Sequence, residues 1–432
     1  MANDNVCIVG IGYVGLTLAT MLADKGFSVL GIDKDEKVIK NLEKGNLHLF
    51  EPGIDELLKK YTGNKLVFQS SYPEVLPETV IICVSTPIDM TTKQPWLQNL
   101  LSASEDISNH IGEGTLVILR STVPVRTSMN VILPIMRKKA SNVRLAFCPE
   151  RTIQGKAMKE LQELPQIIGG LNKESTEAAS AIFSRLTRKI VKVSSLEAAE
   201  LIKFICNCHT DLIYGFGNEV ALMAERFGLE PVELINAANL DYPRPNLNLP
   251  GFVGGSCLSK DPYILISSFH DFDYIPSLVK SARELNESMP VHMAEKVIEK
   301  LKSLGKDAGK TRIFISGFAY KGVPITDDLR GTPAEPFINH LKTFTGNLYG
   351  HDYLVSTENI AGFGVSPCSV EEGFNQADCV VFLNNHPSYK DLDINKLTGT
   401  MNKPALLIDC WRLFEIGEMS RIEGLTYGSI GL

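Results

Sequence analysis

The sequence predicts an α/β protein built from two doubly wound domains joined by a long central helix. Three observations carry that prediction. Short apolar runs closed by glycine or small polar residues alternate with helical apolar patterns in both the first and the last third of the chain, as buried parallel strands and their crossover helices do. Between them no proline interrupts the helical pattern from Ser195 to Gly228. The length, 432 residues, exceeds what one hydrophobic core normally holds. The expected domains are residues 1–194, a central helical segment at 195–305, and residues 306–432.

Composition narrows the class. Net charge is −7 with no basic run, which argues against nucleic acid as a partner. No stretch approaches the ~20 apolar residues needed to cross a bilayer, and the N-terminus lacks a signal pattern. The nine cysteines are scattered without paired CxxC spacing, as in a reducing, cytoplasmic setting. Cys206, Cys208 and His209 point around a helix rather than toward one ion, so no metal site is expected.

The first strand is expected at Val6–Val9, followed by Gly10-Ile11-Gly12-Tyr13-Val14-Gly15 and a helix whose apolar positions run to Ala23. A second strand, Ser28–Ile32, ends at Asp33. Glycines at this spacing turn the chain tightly, let a pyrophosphate approach the backbone and allow close helix packing; the helix N-terminus faces the phosphates. A carboxylate about twenty residues further on accepts the ribose hydroxyls and repels a 2′-phosphate, so Asp33 points to NAD rather than NADP. The unit is therefore Rossmann-like. Further strands are expected at Thr79–Val84, Thr115–Leu119 and Arg144–Cys148, ending in Ser85-Thr86, Ser121-Thr122 and Pro149-Glu150-Arg151. Ligands of a parallel sheet sit at these strand ends. Ser85 and Ser121 equally suit the capping of following helices, whereas no cap calls for Glu150.

In the central helix Ser195 reads as the N-cap, with Leu196, Ala199, Ile202, Ile205, Leu212 and Ile213 forming the apolar pattern. Lys203 and Asn207, four apart, share a face. By itself Lys203 reads as a solvated lysine on an amphipathic helix. A helix follows Pro231, then Tyr242-Pro243-Arg244-Pro245, a stiff extended link. The run Pro250-Gly-Phe-Val-Gly-Gly-Ser-Cys-Leu-Ser-Lys-Asp-Pro262 combines tight-turn glycines, among them Gly254 and Gly255, with Cys257, Lys260 and Asp261. Pro262 suits a first helical turn. Cys257 is expected at or just before that helix N-terminus, which favours thiolate; a glycine turn with a buried cysteine is the alternative. A helix from about Pro276 to Leu304 is expected to break or kink near Pro290.

In the last third, strands are expected at Arg312–Ser316, Asn347–Gly350, Cys379–Leu383 and Leu406–Asp409, with a helix from about Pro333. The first strand closes on Gly317-Phe318-Ala319-Tyr320-Lys321. This unit lacks a GxGxxG, so Lys321 and Arg412 are its candidate phosphate or nucleotide contacts.

Together these motifs resemble the nucleotide-sugar 6-dehydrogenases of the UDP-glucose/GDP-mannose dehydrogenase family. The resemblance rests on Gly10-x-Gly12-x-x-Gly15, Ser121-Thr122-Val123, Pro149-Glu150-Arg151, Ala199-Glu200-Leu201-Ile202-Lys203 with Asn207, Gly254-Gly255-Ser256-Cys257, Lys260-Asp261 and Gly317-Phe318-Ala319-Tyr320-Lys321. It implies NAD, a UDP-sugar substrate, a second Rossmann-like domain for the UDP moiety, and at least a homodimer. It implies Cys257 as nucleophile, Lys203 and Asn207 at the oxyanion, Asp261 with Thr122 around a proton-relay water, and Glu150 as base. Cofactor contacts fall to Gly10, Gly12, Tyr13, Val14, Gly15, Asp33, Ser85, Thr86, Thr122 and Arg330. Substrate contacts fall to Glu150, Arg151, Lys203, Asn207, Arg244, Gly254, Lys321 and Arg412. Oxidising a CH2OH group to carboxylate takes four electrons, and a thiolate can carry the aldehyde to a thioester between the two steps. Pro149-Glu150-Arg151 and Asp261-Pro262-Tyr263 are similar to the branch acting on UDP-N-acetylglucosamine or UDP-N-acetylmannosamine, for surface polysaccharide precursors. Ser256 and Lys260 are similar to the UDP-glucose and GDP-mannose branches. A two-electron hydroxyacid dehydrogenase has no need of Cys257, and a non-catalytic NAD-binding protein has no need of Lys203, Cys257 and Asp261.

Overall fold

The computed structural model describes residues 4–47 and 50–432. The chain divides into two compact units. One runs to Cys206 and includes Lys260–Ile275; the other comprises Asn207–Ser259 and Pro276–Leu432. The segment expected as a central domain is thus shared between them. Among the described residues no helix is long and apolar enough to cross a membrane.

The first unit holds an eight-stranded sheet: β1 (Asn5–Val9), β2 (Ser28–Ile32), β3 (Leu66–Gln69), β4 (Thr79–Ile82), β5 (Leu116–Leu119), β6 (Arg144–Phe147), β7 (Gln166–Gly170) and β8 (Ile190–Val193). Their spatial order is β3-β2-β1-β4-β5-β6-β7-β8. All neighbours are parallel except β6 and β7, where Ala146 faces Gly170. Residues of β4, β5 and β7 are buried throughout, which is why these strands are continuous apolar runs rather than alternating ones. The chain leaves β1 on one side through β2 and β3 and returns on the other at β4, so a crevice opens between the loops after β1 and β4.

The second unit repeats that plan. Its strands β9 (Ile313–Ser316), β10 (Leu348–His351), β11 (Ser366–Pro367), β12 (Cys379–Phe382), β13 (Ala405–Asp409) and β14 (Leu425–Gly428) stand in the order β11-β10-β9-β12-β13-β14, all parallel. The switch point lies between β9 and β12.

The spine helix, Leu196–Phe227, forms as expected; Ser195 Oγ accepts the Ala198 amide at 3.2 Å. Its start lies close on β7, where a Cβ at Gly169 would fall 2.1 Å from the Ser195 carbonyl oxygen. Of the break or kink expected near Pro290, the break does not occur. Helix Ser277–Ser303 is continuous through it, with Met289, Met293, Ala294, Val297 and Leu301 buried in the second unit's core. A proline forfeits about 3 kcal/mol in a helix interior; fully burying even two such side chains offsets that, at roughly 1.5–3 kcal/mol each.

Gly15 is the tightest point of the first unit, because a Cβ there would lie 1.9 Å from the Gly10 carbonyl oxygen. Gly15→Ala should therefore destabilise the protein by about 1–3 kcal/mol. Urea unfolding without ligand measures this; an unchanged midpoint would contradict the packing.

Candidate functional site

The mouth of the first sheet is built around the turn after β1. Gly10 has φ +92°, and a Cβ there would lie 2.9 Å from the backbone of Cys83 in the loop after β4, so only glycine closes the turn. At Gly12 the same construction meets nothing within 4 Å. The helix Tyr13–Asp24 starts there with no side chain capping its N-terminal amides. At the end of β2, Asp33 accepts the Ile11 amide at 2.8 Å through Oδ2 and the Asp35 amide at 3.0 Å through Oδ1. An open glycine, uncapped amides and a half-buried carboxylate fit the pyrophosphate and ribose diol of a dinucleotide. Val14 sits half-buried in the first turn, and Tyr13 donates its hydroxyl to buried Glu51 at 2.5 Å.

The strand-end hydroxyls do not cap helices. Ser121 Oγ donates to Val84 O at 2.7 Å, and Thr86 Oγ1 donates to Thr122 O at 2.5 Å, so they tie the loops after β4 and β5 together. Ser85 Oγ accepts from Asn99 at 3.2 Å. Lys260 donates to Thr86 O at 3.0 Å and stands 3.8 Å from Asp261, which is fully buried at the start of helix Asp261–Ser267.

Deeper in the first unit, Lys203 is buried, not solvated. Its Nζ donates to the Glu150 carbonyl oxygen at 2.6 Å. The Glu150 carboxylate is held on both oxygens. Oε1 accepts the Arg151 and Thr152 amides at 2.8 and 2.7 Å, and Oε2 accepts Nε of Arg120 at 3.0 Å together with its Nη2. Arg120, itself 2% exposed, also donates Nη1 to Cys148 O and to Gln166 Oε1, each at 3.0 Å. Burial pushes the Glu150 pKa up, but Arg120, the amide of Thr152 and Lys203 outweigh it and hold the group below its ordinary value. Held this way, Glu150 favours its ionised form. Arg151 is likewise engaged, by the Pro165 carbonyl and the Cys206 sulfur.

In the second unit Cys257 is exposed, so the buried-cysteine alternative fails. It also lies in a turn and not within a helix: the next helix begins at Asp261, with Lys260 as its N-cap. The glycines ahead of it are filled by the protein. A Cβ at Gly254 would lie 2.5 Å from the Gly331 carbonyl oxygen, and one at Gly255 (φ +93°) 2.6 Å from the Tyr320 ring. Gly254, expected at the substrate, is thus closely packed at its Cα. The Ser256 hydroxyl lies 3.9 Å from the Cys257 sulfur, and Tyr320 and Arg330 are close enough to feel its charge. Arg330 grips Asp328 through Nε and Nη2, which raises its pKa, and it belongs to this unit rather than to the one carrying Gly10 and Asp33.

Of the expected substrate contacts, the Lys321 ammonium lies 5.2 Å from the Tyr320 ring centroid. Arg244 is exposed and donates to the Tyr242 hydroxyl at 2.6 Å. Arg412 pairs through Nη2 with Glu230 at 2.6 Å, while its Nε and Nη1 are buried without a hydrogen-bond partner. The expected catalytic set divides, with Thr122, Glu150, Lys203 and Asp261 in the first unit and Asn207 and Cys257 in the second.

Sequence reasoning missed Arg120, Glu51 and Asp352. Asp352, at the end of β10, accepts the Phe318 and Ala319 amides at 2.7 and 3.1 Å, the counterpart of Asp33. Its signal was available: Gly31-Ile32-Asp33 and Gly350-His351-Asp352 close their strands alike.

Family models describe the chain in three consecutive pieces. Residues 4–187 match the NAD binding domain of the UDP-glucose/GDP-mannose dehydrogenase family, 197–288 its central domain and 314–416 its UDP binding domain. The chain is 32% identical over 413 residues to UDP-N-acetyl-D-mannosamine dehydrogenase of Methanococcus aeolicus, covering 94% of this chain and 90% of that one. With the Methanococcus vannielii enzyme of the same name identity is 33% over 411 residues, covering 94% and 92%. The solved structure of a UDP-D-ManNAc dehydrogenase from Pyrococcus horikoshii superposes with a TM-score of 0.89 at 29% identity, covering 99% of each chain.

Arg120→Met should cost about 3–5 kcal/mol at neutral pH by stranding a buried carboxylate. The pH dependence should also invert. In the wild type the depressed Glu150 pKa gives stability that is lost as pH falls through it, below the ordinary 4.5. In the variant burial dominates and raises the pKa, so stability is lost as pH rises above that value. Denaturant midpoints across pH 4–8 measure this, and parallel curves for the two proteins would refute it.

Proposed function

The chain belongs to the UDP-glucose/GDP-mannose dehydrogenase family of NAD-dependent oxidoreductases, and on that premise we propose that it oxidises the C6 hydroxymethyl of UDP-N-acetylmannosamine to the uronic acid. The product would serve as a precursor for surface polysaccharide. The relatives of that name, 32–33% identical over more than nine-tenths of this chain, support the sugar. The exposure of Cys257 carries the mechanism: of the nine cysteines, all among the described residues, only this one is exposed.

Bound NAD+ supplies the hydride acceptor for each of the two oxidations, in a cradle of Gly10, Gly12, Gly15 and Asp33. The first oxidation removes a hydride from C6 and the hydroxyl proton, leaving an aldehyde. Cys257 Sγ adds to the carbonyl carbon and forms a thiohemiacetal. Loss of its C6 hydride gives a thioester, and water cleaves the C–S bond, releasing carboxylate and returning the thiol. Lys203 supplies the cation that the successive oxyanions require, and Asn207 a hydrogen-bond donor. We assign proton handling to Asp261 and Thr122. Glu150 acts by anchoring Lys203 through its carbonyl. We assign Lys321, Arg244, Arg330 and Arg412 to the nucleotide's phosphates and sugar; Arg412 keeps Nε and Nη1 buried without a hydrogen-bond partner, and Arg151 is held by the Pro165 carbonyl.

A homodimer follows from the same reading. Phe216, Met223 and Phe227 lie on one face of the spine helix and are 52%, 47% and 80% exposed, a row that a second copy would cover. Light scattering should give twice the chain mass; the monomer mass at micromolar concentration would overturn this.

With NAD+ and a panel of UDP-N-acetylmannosamine, UDP-N-acetylglucosamine, UDP-glucose and GDP-mannose, the first should have the highest kcat/KM, by roughly tenfold or more. Two NADH should form per sugar. Cys257→Ser should fail to release uronate and stop at the aldehyde or a covalent ester. One NADH per sugar, or uronate at the wild-type rate from Cys257→Ser, would remove the thioester route.

A further inference from the structure

The second unit contains a buried polar chain that neither the cofactor cradle nor the proposed chemistry uses. Arg283, Asp211 and Asn286 are each 1% exposed and Asn218 is fully buried. Asn218 reads one residue on both sides. Its Oδ1 accepts the Gly251 amide at 2.9 Å, and its Nδ2 donates to the Gly251 carbonyl at 3.0 Å. The same Nδ2 donates to Asn286 Oδ1 at 2.9 Å. Asn286 Nδ2 in turn donates to the carbonyl oxygen and to Oδ1 of Asp211, each at 2.9 Å. Arg283 Nη1 donates to Asp211 Oδ1 at 3.0 Å and to the Leu258 carbonyl at 2.7 Å.

The bonds therefore run without a gap from Gly251, through the spine helix and helix Ser277–Ser303, to Leu258. Those two residues bracket the Cys257 turn. A buried arginine and carboxylate are costly to desolvate, and apolar residues of similar volume stabilise a helix pair at least as well. What a hydrophobic substitute could not do is hold two backbone groups of an irregular loop in fixed directions. Loops owe their positions to such anchors, since they have no ladder of their own.

We propose that Arg283 and Asn218 are positioning residues for the Cys257 turn, fastening it at Leu258 and Gly251 so that the thiol is presented in one orientation. The role rests on the reading of Cys257 as the reacting group. The turn's own order can nevertheless be measured independently of that reading.

The test uses Arg283→Met combined with Asp211→Leu, which removes both charges and strands neither. Hydrogen exchange of the 251–258 amides should quicken roughly tenfold or more, while β9 and β12 keep their protection. kcat should fall by about ten- to a hundredfold with KM for NAD+ and sugar nucleotide within about twofold, as expected of a misplaced reacting group. Arg283→Lys, which keeps a cation beside Asp211, should recover part of kcat. Unchanged loop exchange, or a loss carried by KM alone, overturns the proposal. Should the double variant not fold, Asn218→Ala puts the same question from the Gly251 end, with the same two outcomes. Faster loop exchange with a Cys257→Ser enzyme that still makes uronate would sink the nucleophile and leave the anchoring intact.

Discussion

A backbone amide left without a ladder partner at the mouth of a parallel sheet is the constraint both units are built around. The turn after the central strand must be tight, which takes Gly10 or Gly317 at positive φ, and it turns its next amides away from the sheet. In each unit a carboxylate at the end of the neighbouring strand accepts them, Asp33 in one and Asp352 in the other. An unsatisfied buried amide costs about 1–3 kcal/mol, so the aspartate stabilises the turn before any ligand arrives. The same carboxylate then stands beside the strand switch, where a ribose would need an acceptor. On the proposed reading, fold stability and ligand recognition would draw on one group.

The first unit also separates two buried glutamates by their partners. For Glu150 and Glu200 alike, burial is the largest influence and raises the pKa. Both accept backbone amides: Glu150 from Arg151 and Thr152, Glu200 from Arg126 and Ser128. With burial and the nearby Glu197 charge opposed only by the Ser128 hydroxyl and the amides of Ser128 and Arg126, Glu200 is pushed up to about 7. Glu150 ends below its ordinary value because Arg120, and behind it Lys203, add full positive charge. These two cations reverse the sign. The same pairing also explains why the ammonium of Lys203 can be buried beside the Glu150 carbonyl, with a carboxylate's charge close by to balance it.

What was legible in the sequence was what is local. The glycine loop, the Ser195 cap, the spine helix and the buried strands declare themselves through spacing and periodicity. Edge strands such as β3 and β8, and the reversed β7 with its two glycines, carry too little pattern to stand out. Arg120 was overlooked because its partners come from positions 148, 150 and 166, and no local spacing announces such a convergence. Pro290 misled for the complementary reason. The local rule holds, but an apolar face buried along the whole helix outweighs it. Lys203 looked solvated on its helix because its acceptor belongs to the loop after β6.

The glycine stretch before Cys257 changes most in meaning. Glycines beside a reactive residue suggest room for a ligand, yet Gly254 and Gly255 are occupied by the Gly331 carbonyl and the Tyr320 ring, so their lack of side chain serves close packing. Cys257 itself sits in the turn that leads into helix Asp261–Ser267, just before its N-terminus. Around the sulfur stand the Ser256 hydroxyl, a tyrosine, an arginine tied to Asp328, and a backbone fastened on either side by Asn218 and Arg283. An exposed thiol on an irregular loop would ordinarily sample many orientations at no cost. Here the packed glycines and the buried bonds remove that freedom during folding, so the entropy of ordering the loop is settled before substrate binds.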